Sequence, residues 1–283
     1  MKPVVWITGA GGLIGNHLVQ TAPQSAPQFQ IVALTQPILD LTDRAAVRTE
    51  FARQRPAIII HCAAMSRSPE CQAQPQLARR VNVEAAAHLA ELAAEIPFVF
   101  FSTDLVFDGR KGNYVETDAV NPLSIYAETK VAAESMVCRL PHHLIIRSAL
   151  NGGISPTGDR GFNEQLRLAW QRGQAANLFT DEFRSPIPAV VTARAVWELV
   201  QCAAAGTFHL AGAARLSRLE IGRLLAARHP ELRPQIIAGS LKDYSGAPRP
   251  ADVSLDCGKV QRLLSFPLPA LSDWLAVNPN ELF

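Results

Sequence analysis

The sequence has few cysteines, and their arrangement already excludes several classes of protein. Only five of the 283 residues are cysteine, and none of them forms a C-x-x-C pair. An odd number of scattered cysteines predicts reduced thiols in a cytoplasmic protein rather than the disulfide framework of a small secreted one. Histidine, cysteine and acidic residues also form no cluster with metal-ligand spacing, so we predict no metal site.

Charged residues and long apolar runs are scarce as well. Charged residues make up 18% of the chain and the formal net charge is +2. The chain therefore lacks the strong positive charge that would predict a nucleic-acid partner. No apolar run is long enough to span a bilayer, and the amino-terminal residues lack the pattern of a signal peptide, so we expect no membrane association. The length and the 48% of hydrophobic residues predict one large core, or a core with a smaller lobe.

A glycine-rich stretch near the amino terminus organises the rest of the chain. Gly9, Gly12 and Gly15 lie between an apolar run that predicts a buried strand and residues 16–20, which predict a helix. Glycines at this spacing permit a sharp turn off the strand, close approach of backbone N–H groups to a pyrophosphate, and close packing of helix on strand. The stretch therefore predicts a dinucleotide site, with a purely structural tight turn as the alternative.

Strands and helices alternate through the first half of the chain. Predicted strands cover Phe29–Thr35, Ala57–His61, Phe98–Ser102 and Leu144–Ser148, and predicted helices cover Asp43–Arg55, Gln76–Ala94 and Pro122–Arg139. This pattern predicts an α/β fold, a doubly wound parallel sheet of the Rossmann type with a small carboxyl-terminal substrate lobe. We assign residues 1–150, with returning elements near 186–212, to a domain that binds NAD(P), and residues 151–283 mainly to the substrate lobe.

The end of the second strand bears on the choice of cofactor. An acidic residue about 20 positions after the glycine-rich turn would bond a ribose 2′-hydroxyl and repel a 2′-phosphate. Here the strand ends at Thr35 and Gln36 without an acid, and the Thr35 hydroxyl can donate to a phosphate. This favours NADP(H), with NAD(H) as the alternative.

A tyrosine and a lysine downstream supply groups for acid–base chemistry. Tyr126 and Lys130 are four residues apart, so they share one face of a predicted helix. A nearby ammonium lowers the pKa of a phenol, which can then act as acid or base near neutral pH. Thr103, directly after the predicted strand Phe98–Ser102, can hydrogen-bond the reacting oxygen. A solvated helix face is the alternative, but the order of these residues after the glycine-rich turn favours an active site.

These motifs resemble the extended short-chain dehydrogenase/reductase superfamily and, within it, the dTDP-4-dehydrorhamnose reductases. The resemblance rests on Ser102-Thr103-Asp104-x-Val106-Phe107-x-Gly109, on Tyr126-x-Glu128-Thr129-Lys130 and on Arg249-Pro250-x-x-x-x-Leu255-Asp256. It is strong over residues 1–148 and thin from about 151 to 245.

The resemblance implies roles for individual residues. The implied catalytic residues are Thr103, Tyr126 and Lys130, and the implied substrate-binding residues are Thr103, Asp104, Leu105 and Arg249. The cofactor contacts are expected from Gly9, Gly12, Leu13, Ile14, Thr35, Asp40, Leu41, Ala63, Ala64, Met65, Tyr126 and Lys130. Asp40 has an alternative role as an acid before the following helix. Asn82 lies in mid-helix, where Asn is a poor helix former, and we expect it to be buried and hydrogen-bonded.

The implied activity is an NADP(H)-dependent reduction of a keto group on a nucleotide-linked sugar. Leu105 stands where these reductases commonly have tyrosine, and the aromatic expected after the fifth strand is missing from residues 149–151. Both departures lie toward the sugar. Two alternatives stay open: a nucleotide-sugar epimerase, and a non-catalytic NADP-binding subunit resembling the regulatory beta subunit of methionine adenosyltransferase. The sequence also leaves a homodimer open.

Overall fold

A parallel sheet of six strands forms the centre of the fold, in a computed structural model that describes residues 2–139, 142–281 and 283. The strands are β1 (Val4–Thr8), β2 (Gln30–Leu34), β3 (Ile58–His61), β4 (Phe98–Thr103), β5 (His143–Ser148), β6 (Asn151–Gly152), β7 (Ala176–Phe179), β8 (Phe183–Arg184), β9 (Ile187–Pro188), β10 (Gly206–Leu210), β11 (Leu216–Ser217) and β12 (Ile236–Gly239). The central sheet has the order β2-β1-β3-β4-β5-β10, and all its neighbouring pairs are parallel. The order reverses beside β1, and such sheets bind ligands outside the carboxyl ends of the strands at that point.

Helices cover both faces of this sheet. They are α1 (Leu13–Ser25), α2 (Arg44–Gln54), α3 (Ser68–Ala73), α4 (Pro75–Arg79), α5 (Ala85–Leu92), α6 (Ile125–Val137), α7 (Phe162–Gln171), α8 (Ala189–Gln201), α9 (Arg218–Ala226), α10 (Gly258–Gln261) and α11 (Leu271–Val277). In β1, Val5 and Ile7 point to the side of α1 and α8, whereas Trp6 points to the side of α2, α5 and α6. The predicted doubly wound α/β fold is confirmed. Within the described residues, no helix combines the length and the apolar character needed to cross a membrane.

The chain returns to the central sheet after it has left it at residue 148. Helix α8 packs on α1, where the fully buried Trp197 donates its indole N–H to the carbonyl of Leu18 at 3.2 Å. Strand β10 then pairs with β5, with Phe208 opposite Ile146. Residues 189–210 therefore complete the sheet and the core that the first half begins.

The other carboxyl-terminal elements form a separate hydrophobic cluster. Helices α7, α9 and α11 and the parallel pair β7–β12 contribute its buried side chains, among them Trp170, Leu178, Ile221 and Trp274. Strand β8 pairs with β11, and its Phe183 also forms a bridge with Asp252. We call this cluster and the segments around it the carboxyl-terminal lobe.

Two sequence predictions about helices were wrong in detail. The helix predicted over Gln76–Ala94 is interrupted by a π-helical turn at Arg80–Glu84, between α4 and α5. The helix predicted from Pro122 begins only at Ile125, because the Ser124 hydroxyl caps it by accepting a hydrogen bond from the Ala127 N–H at 3.3 Å. Proline is therefore outside the first turn of α6.

The carboxyl-terminal lobe also contains strands that the sequence did not predict. Strand β12 pairs with β7, and both lie in stretches for which the sequence analysis gave no strand. These strands have four residues each, so their periodicity is too short to separate from loop.

We predict that α8 and the first half of the chain unfold together. Trp197→Ala removes a fully buried side chain between α1 and α8, and should lower the free energy of unfolding by about 3–5 kcal/mol. Urea denaturation measures this change. The control is Val277→Ala at a position that is 77% exposed, where a change within about 0.5 kcal/mol is expected. A loss below about 1 kcal/mol for Trp197→Ala would contradict a shared core.

Candidate active site

The glycine-rich turn brings three backbone segments unusually close at the carboxyl edge of the sheet. Gly9 has a φ of +68°, in the left-handed region, and a Cβ there would lie 2.6 Å from the backbone nitrogen of Ala63. A Cβ on Gly15 would collide with the carbonyl of Gly9. Both positions therefore need glycine if α1 is to start directly above β1 and β3.

The start of α1 presents backbone donors at this edge. Gly12 is the N-cap, and within the described part of the chain no side chain accepts a hydrogen bond at this cap. The N–H groups of Leu13 and Ile14 thus lie at the positive end of the helix without intrahelical acceptors. Thr35 borders the turn, since its methyl group is 3.6 Å from the position of a Cβ built on Gly11. These groups fit a pyrophosphate with a further phosphate near Thr35.

Asp40 and Leu41 lie beyond the end of β2. The exposed Asp40 carboxylate accepts hydrogen bonds from the backbone N–H and the hydroxyl of Thr42, at 2.9 and 2.8 Å, and these bonds lower the pKa of Asp40. Asp43, rather than Asp40, caps α2 by accepting from the N–H groups that follow it. Leu41 packs partly into the core. Contact of Asp40 and Leu41 with an adenine stays a prediction.

Asn82 joins the loop after β3 to helix α6. It is 1% exposed and lies in the π-helical turn. Its amide oxygen accepts from the Met65 N–H at 2.8 Å, and its amide nitrogen donates to the Met65 carbonyl at 3.0 Å and to the Thr129 hydroxyl at 2.9 Å. The prediction of a buried, hydrogen-bonded Asn82 is confirmed. These bonds fix Ala63, Ala64 and Met65 relative to α6, which carries Tyr126 and Lys130.

Thr103 and Tyr126 meet where β4 ends and α6 begins. Thr103 is 6% exposed, and its hydroxyl donates to Asp104 Oδ1 and accepts from the Leu105 N–H, both at 3.2 Å. Burial raises the pKa of Tyr126, and the Asp104 carboxylate raises it further, whereas the Thr103 hydroxyl and the Arg184 guanidinium oppose the rise.

Lys130 lies one helical turn after Tyr126 and is almost completely buried. Its Nζ is 4.0 Å from the ring centroid of Phe100, and burial lowers the pKa of Lys130 to about 8 in spite of Glu134 and Cys62. The pKa of Tyr126 is raised rather than lowered in this structure, with burial and Asp104 as the leading causes, and an effect of Lys130 on the phenol stays a prediction. The ammonium lies against Phe100 of β4 and near His61 and Cys62, where β3 ends.

Arg184 is a site residue that the sequence analysis missed. Asp104, which follows Thr103, is completely buried, and Arg184 binds both of its carboxylate oxygens, from Nε to Oδ2 at 2.6 Å and from Nη2 to Oδ1. Burial raises the pKa of Asp104, while Arg184 and the Thr103 hydroxyl oppose the rise. The two partners are 80 residues apart in the chain, and no local motif connects them.

Glu182 gathers two further arginines beside this pair. Its carboxylate is 3% exposed and accepts from Arg218 Nε at 2.9 Å and from Arg249 Nε at 2.8 Å. Burial and the neighbouring Arg184 lower the pKa of Arg218 to about 10. With Asp104, the group therefore contains three guanidinium groups against two carboxylates.

The sequence analysis predicted a substrate-binding role for Arg249, which stays a prediction, and it did not single out Arg218 or Glu182. Next to Arg249, the rings of Phe179 and Tyr244 meet edge to face at 5.4 Å, and its guanidinium lies over both rings. These two aromatic residues border an open depression of about 450 Å³.

Known proteins are similar to this chain along nearly its whole length. Residues 1–278 match the model of the family described as the RmlD substrate binding domain. The chain belongs to this family. The resemblance to extended short-chain dehydrogenases/reductases that the sequence motifs indicated is thereby confirmed.

Individual relatives include catalytic and regulatory proteins. The chain is 32% identical to the dTDP-4-keto-6-deoxy-D-glucose reductase of Streptomyces niveus, with coverage of 83% of this chain and 85% of the relative. It is 28% identical to the methionine adenosyltransferase 2 subunit beta of Rattus norvegicus, over 92% of this chain and 82% of the relative. A solved dTDP-4-dehydrorhamnose reductase of Bacillus anthracis in complex with NADP has a TM-score of 0.88 and 24% identity, with 98% of both chains covered.

We predict that Glu182 makes stability depend on pH in the acid range. Burial alone would raise the pKa of Glu182, but Arg218, Arg249 and Arg184 outweigh it and lower that pKa from the ordinary 4.5 to about 2. The resulting stabilisation is about 3 kcal/mol above pH 4.5 and is lost as the pH falls toward 2. Urea denaturation should therefore show that wild type has a larger free energy of unfolding than Glu182→Gln above pH 4.5, and that this difference disappears as the pH falls toward 2.

The control for this experiment is Glu91→Gln, which removes an ion pair whose partners are both 63% exposed. It should change the free energy of unfolding by less than about 1 kcal/mol. If the difference in free energy of unfolding between wild type and Glu182→Gln stays constant from pH 7 to the acid range, the lowered pKa of Glu182 is contradicted.

Proposed function

We propose that the protein is an NADP(H)-dependent reductase of a keto group on a nucleotide-linked sugar. The observation that carries this proposal is the meeting of Thr103 and Tyr126 beside the buried Lys130, at the sheet edge that also holds the glycine-rich turn. The Streptomyces niveus relative, named as a reductase of a dTDP-linked keto sugar, supports the same class of reaction.

The residues of the turn fit a dinucleotide. The absence of Cβ atoms at Gly9 and Gly15 lets α1 start directly at the strand ends, and the N–H groups of Leu13 and Ile14 would bind the pyrophosphate. The Thr35 hydroxyl would donate to a 2′-phosphate, and the Lys130 ammonium to the hydroxyls of the nicotinamide ribose. A reduced nicotinamide bound there supplies the hydride for the carbonyl carbon.

The protein's own groups handle the oxygen of the substrate. Tyr126 keeps its proton at neutral pH because burial and Asp104 raise its pKa, so it is in the right form to act as an acid. It would give that proton to the carbonyl oxygen as charge develops there. The backbone N–H of Leu105 and the Asp104 carboxylate hold the Thr103 hydroxyl in place, and its oxygen would accept a hydrogen bond from a substrate hydroxyl next to the carbonyl.

The carboxyl-terminal lobe offers groups for the nucleotide part of the substrate. The arginines around Glu182 carry an excess of positive charge, which suits a diphosphate, and Arg249 is the most exposed of the three. Phe179 and Tyr244 next to Arg249 offer aromatic surface for a base. We accordingly assign cofactor binding to residues 1–150 with 186–212, and substrate binding mainly to the rest of 151–283. Leu105, an aliphatic residue, would border the sugar.

Tyr126→Phe is predicted to lower kcat by about 10²–10⁴, because the ring remains but the transferable proton is lost. Cofactor affinity should change little, since Lys130 and the glycine-rich turn are intact. Steady-state oxidation of NADPH with a panel of nucleotide-linked keto sugars measures kcat, and titration by nicotinamide fluorescence measures the cofactor affinity. The control is Tyr114→Phe, which removes a phenol that is bound to Asp108 and lies outside the site.

The same experiment separates the enzyme from its regulatory alternative. Full turnover by Tyr126→Phe on a sugar that the wild type reduces would refute the acid role of Tyr126. Tight NADPH binding without turnover of any keto sugar by the wild type would favour a regulatory subunit like the 28% identical beta subunit.

NADPH is predicted to bind more tightly than NADH, because no carboxylate follows β2 at Thr35 and Gln36. Thr35→Asp should weaken NADPH binding relative to NADH by about 1–2 kcal/mol through repulsion of the 2′-phosphate. Fluorescence titration of both reduced cofactors measures the preference. The matched control is Thr35→Asn, which introduces a side chain of the same shape as aspartate but without its charge. It should keep most of the preference for NADPH. Equal affinities in the wild type would contradict the prediction.

A further inference from the structure

The Asp104 carboxylate is enclosed at the centre of the site and depends on a group from the other lobe. It has no exposed surface and follows directly after Thr103. Arg184 approaches it from β8 and binds both oxygens, and its own side chain is 7% exposed. A guanidinium held in this two-point geometry fixes a carboxylate in both position and orientation, which an ammonium does not.

The same carboxylate also determines which way the Thr103 hydroxyl points. Asp104 Oδ1 accepts from Arg184 Nη2 and from the Thr103 hydroxyl. The Thr103 oxygen in turn accepts from the Leu105 N–H, so its proton is committed to Asp104. A hydroxyl has two acceptor lone pairs, so one remains to accept a hydrogen bond from the Tyr126 phenol or from a hydroxyl of the substrate.

The charges around Tyr126 come from three elements. Asp104, in the 3₁₀ turn after β4, disfavours the phenolate, and so does Cys71 of α3. Arg184 of β8 favours the phenolate, and the Thr103 hydroxyl acts in the same direction. Around Asp104 itself, the groups that favour its charged form are Arg184, Thr103 and Arg218.

We infer that Arg184 is a positioning residue: its two-point contact with Asp104 fixes the carboxylate that directs the Thr103 hydroxyl beside Tyr126. Arg184 thereby makes the reactive end of the site depend on the docking of the carboxyl-terminal lobe. The catalytic consequence rests on the proposed reductase function, whereas the effect on Tyr126 itself does not.

The kinetic test compares Arg184→Met, Arg184→Lys and the double variant Arg184→Met/Asp104→Asn with the wild type. Arg184→Met should lower kcat more than it raises KM, because the Asp104 carboxyl loses the two-point contact that holds it against the Thr103 hydroxyl. The double variant replaces the unpaired buried carboxyl by a neutral amide and should not restore kcat, because the two-point contact is still absent. Arg184→Lys keeps the charge but not the two-point contact, so kcat should fall there as well.

Arg215→Met is the matched control for these variants. Arg215 belongs to the same lobe and pairs with Asp252 at 2.6 Å, but its side chain is 48% exposed and it does not contact Asp104. It should keep the wild-type kcat and KM. A kcat that is unchanged in Arg184→Met, in an enzyme whose wild type turns over, would overturn the inference.

A spectroscopic measurement tests the inference even if no keto sugar is reduced. The chain has three tyrosines, so ¹³C labelling at Cζ gives three signals that Tyr→Phe variants can assign. Arg184→Met should move the Tyr126 signal and leave that of Tyr114, and Arg215→Met should move neither. An unmoved Tyr126 signal in Arg184→Met refutes the inference, whereas a moved signal without any turnover in the wild type refutes the proposed function alone.

Discussion

The close approach of backbone at Gly9, Gly15 and Ala63 is the constraint on which the rest of the structure depends. Without Cβ atoms at the two glycines, the start of α1 can lie directly on the ends of β1 and β3. This places unpaired N–H groups at the point where the strand order reverses, next to Thr35. Any larger side chain would push the helix away and separate the phosphate-binding donors from the edge that carries Thr103 and Tyr126.

Buried polar contacts then hold the reactive groups at this edge. Asn82 connects the Met65 loop to α6, and the π-helical turn in which it lies replaces a regular α-helical stretch. A π-helical turn costs regular helix geometry, and such turns are frequent at functional sites. On the other side, Arg184 connects the lobe to Asp104. A buried ion pair gains little net stability after desolvation, so its value here is better understood as fixing one arrangement of the two parts.

The sequence predicted much of the fold and part of the site because those features depend on near neighbours in the chain. Strands and helices of the first half were found from apolar periodicity, and the four-residue spacing of Tyr126 and Lys130 placed both on one helix. The glycine spacing likewise indicated a turn before α1. This reasoning missed the strands β7 and β12, which have only four residues each. It also missed the Ser124 cap, which starts α6 three residues later than predicted.

The amino-acid sequence by itself thus determined the α/β class, the glycine-rich turn and the order of Thr103, Tyr126 and Lys130. Only the tertiary structure decided which charges surround them, because electrostatic environment depends on groups that are distant in sequence and adjacent in space. Arg184 reaches Asp104 across 80 residues, and the Lys130 ammonium lies over the ring of Phe100. Burial then sets the protonation of these groups, and no local pattern encodes burial of this kind.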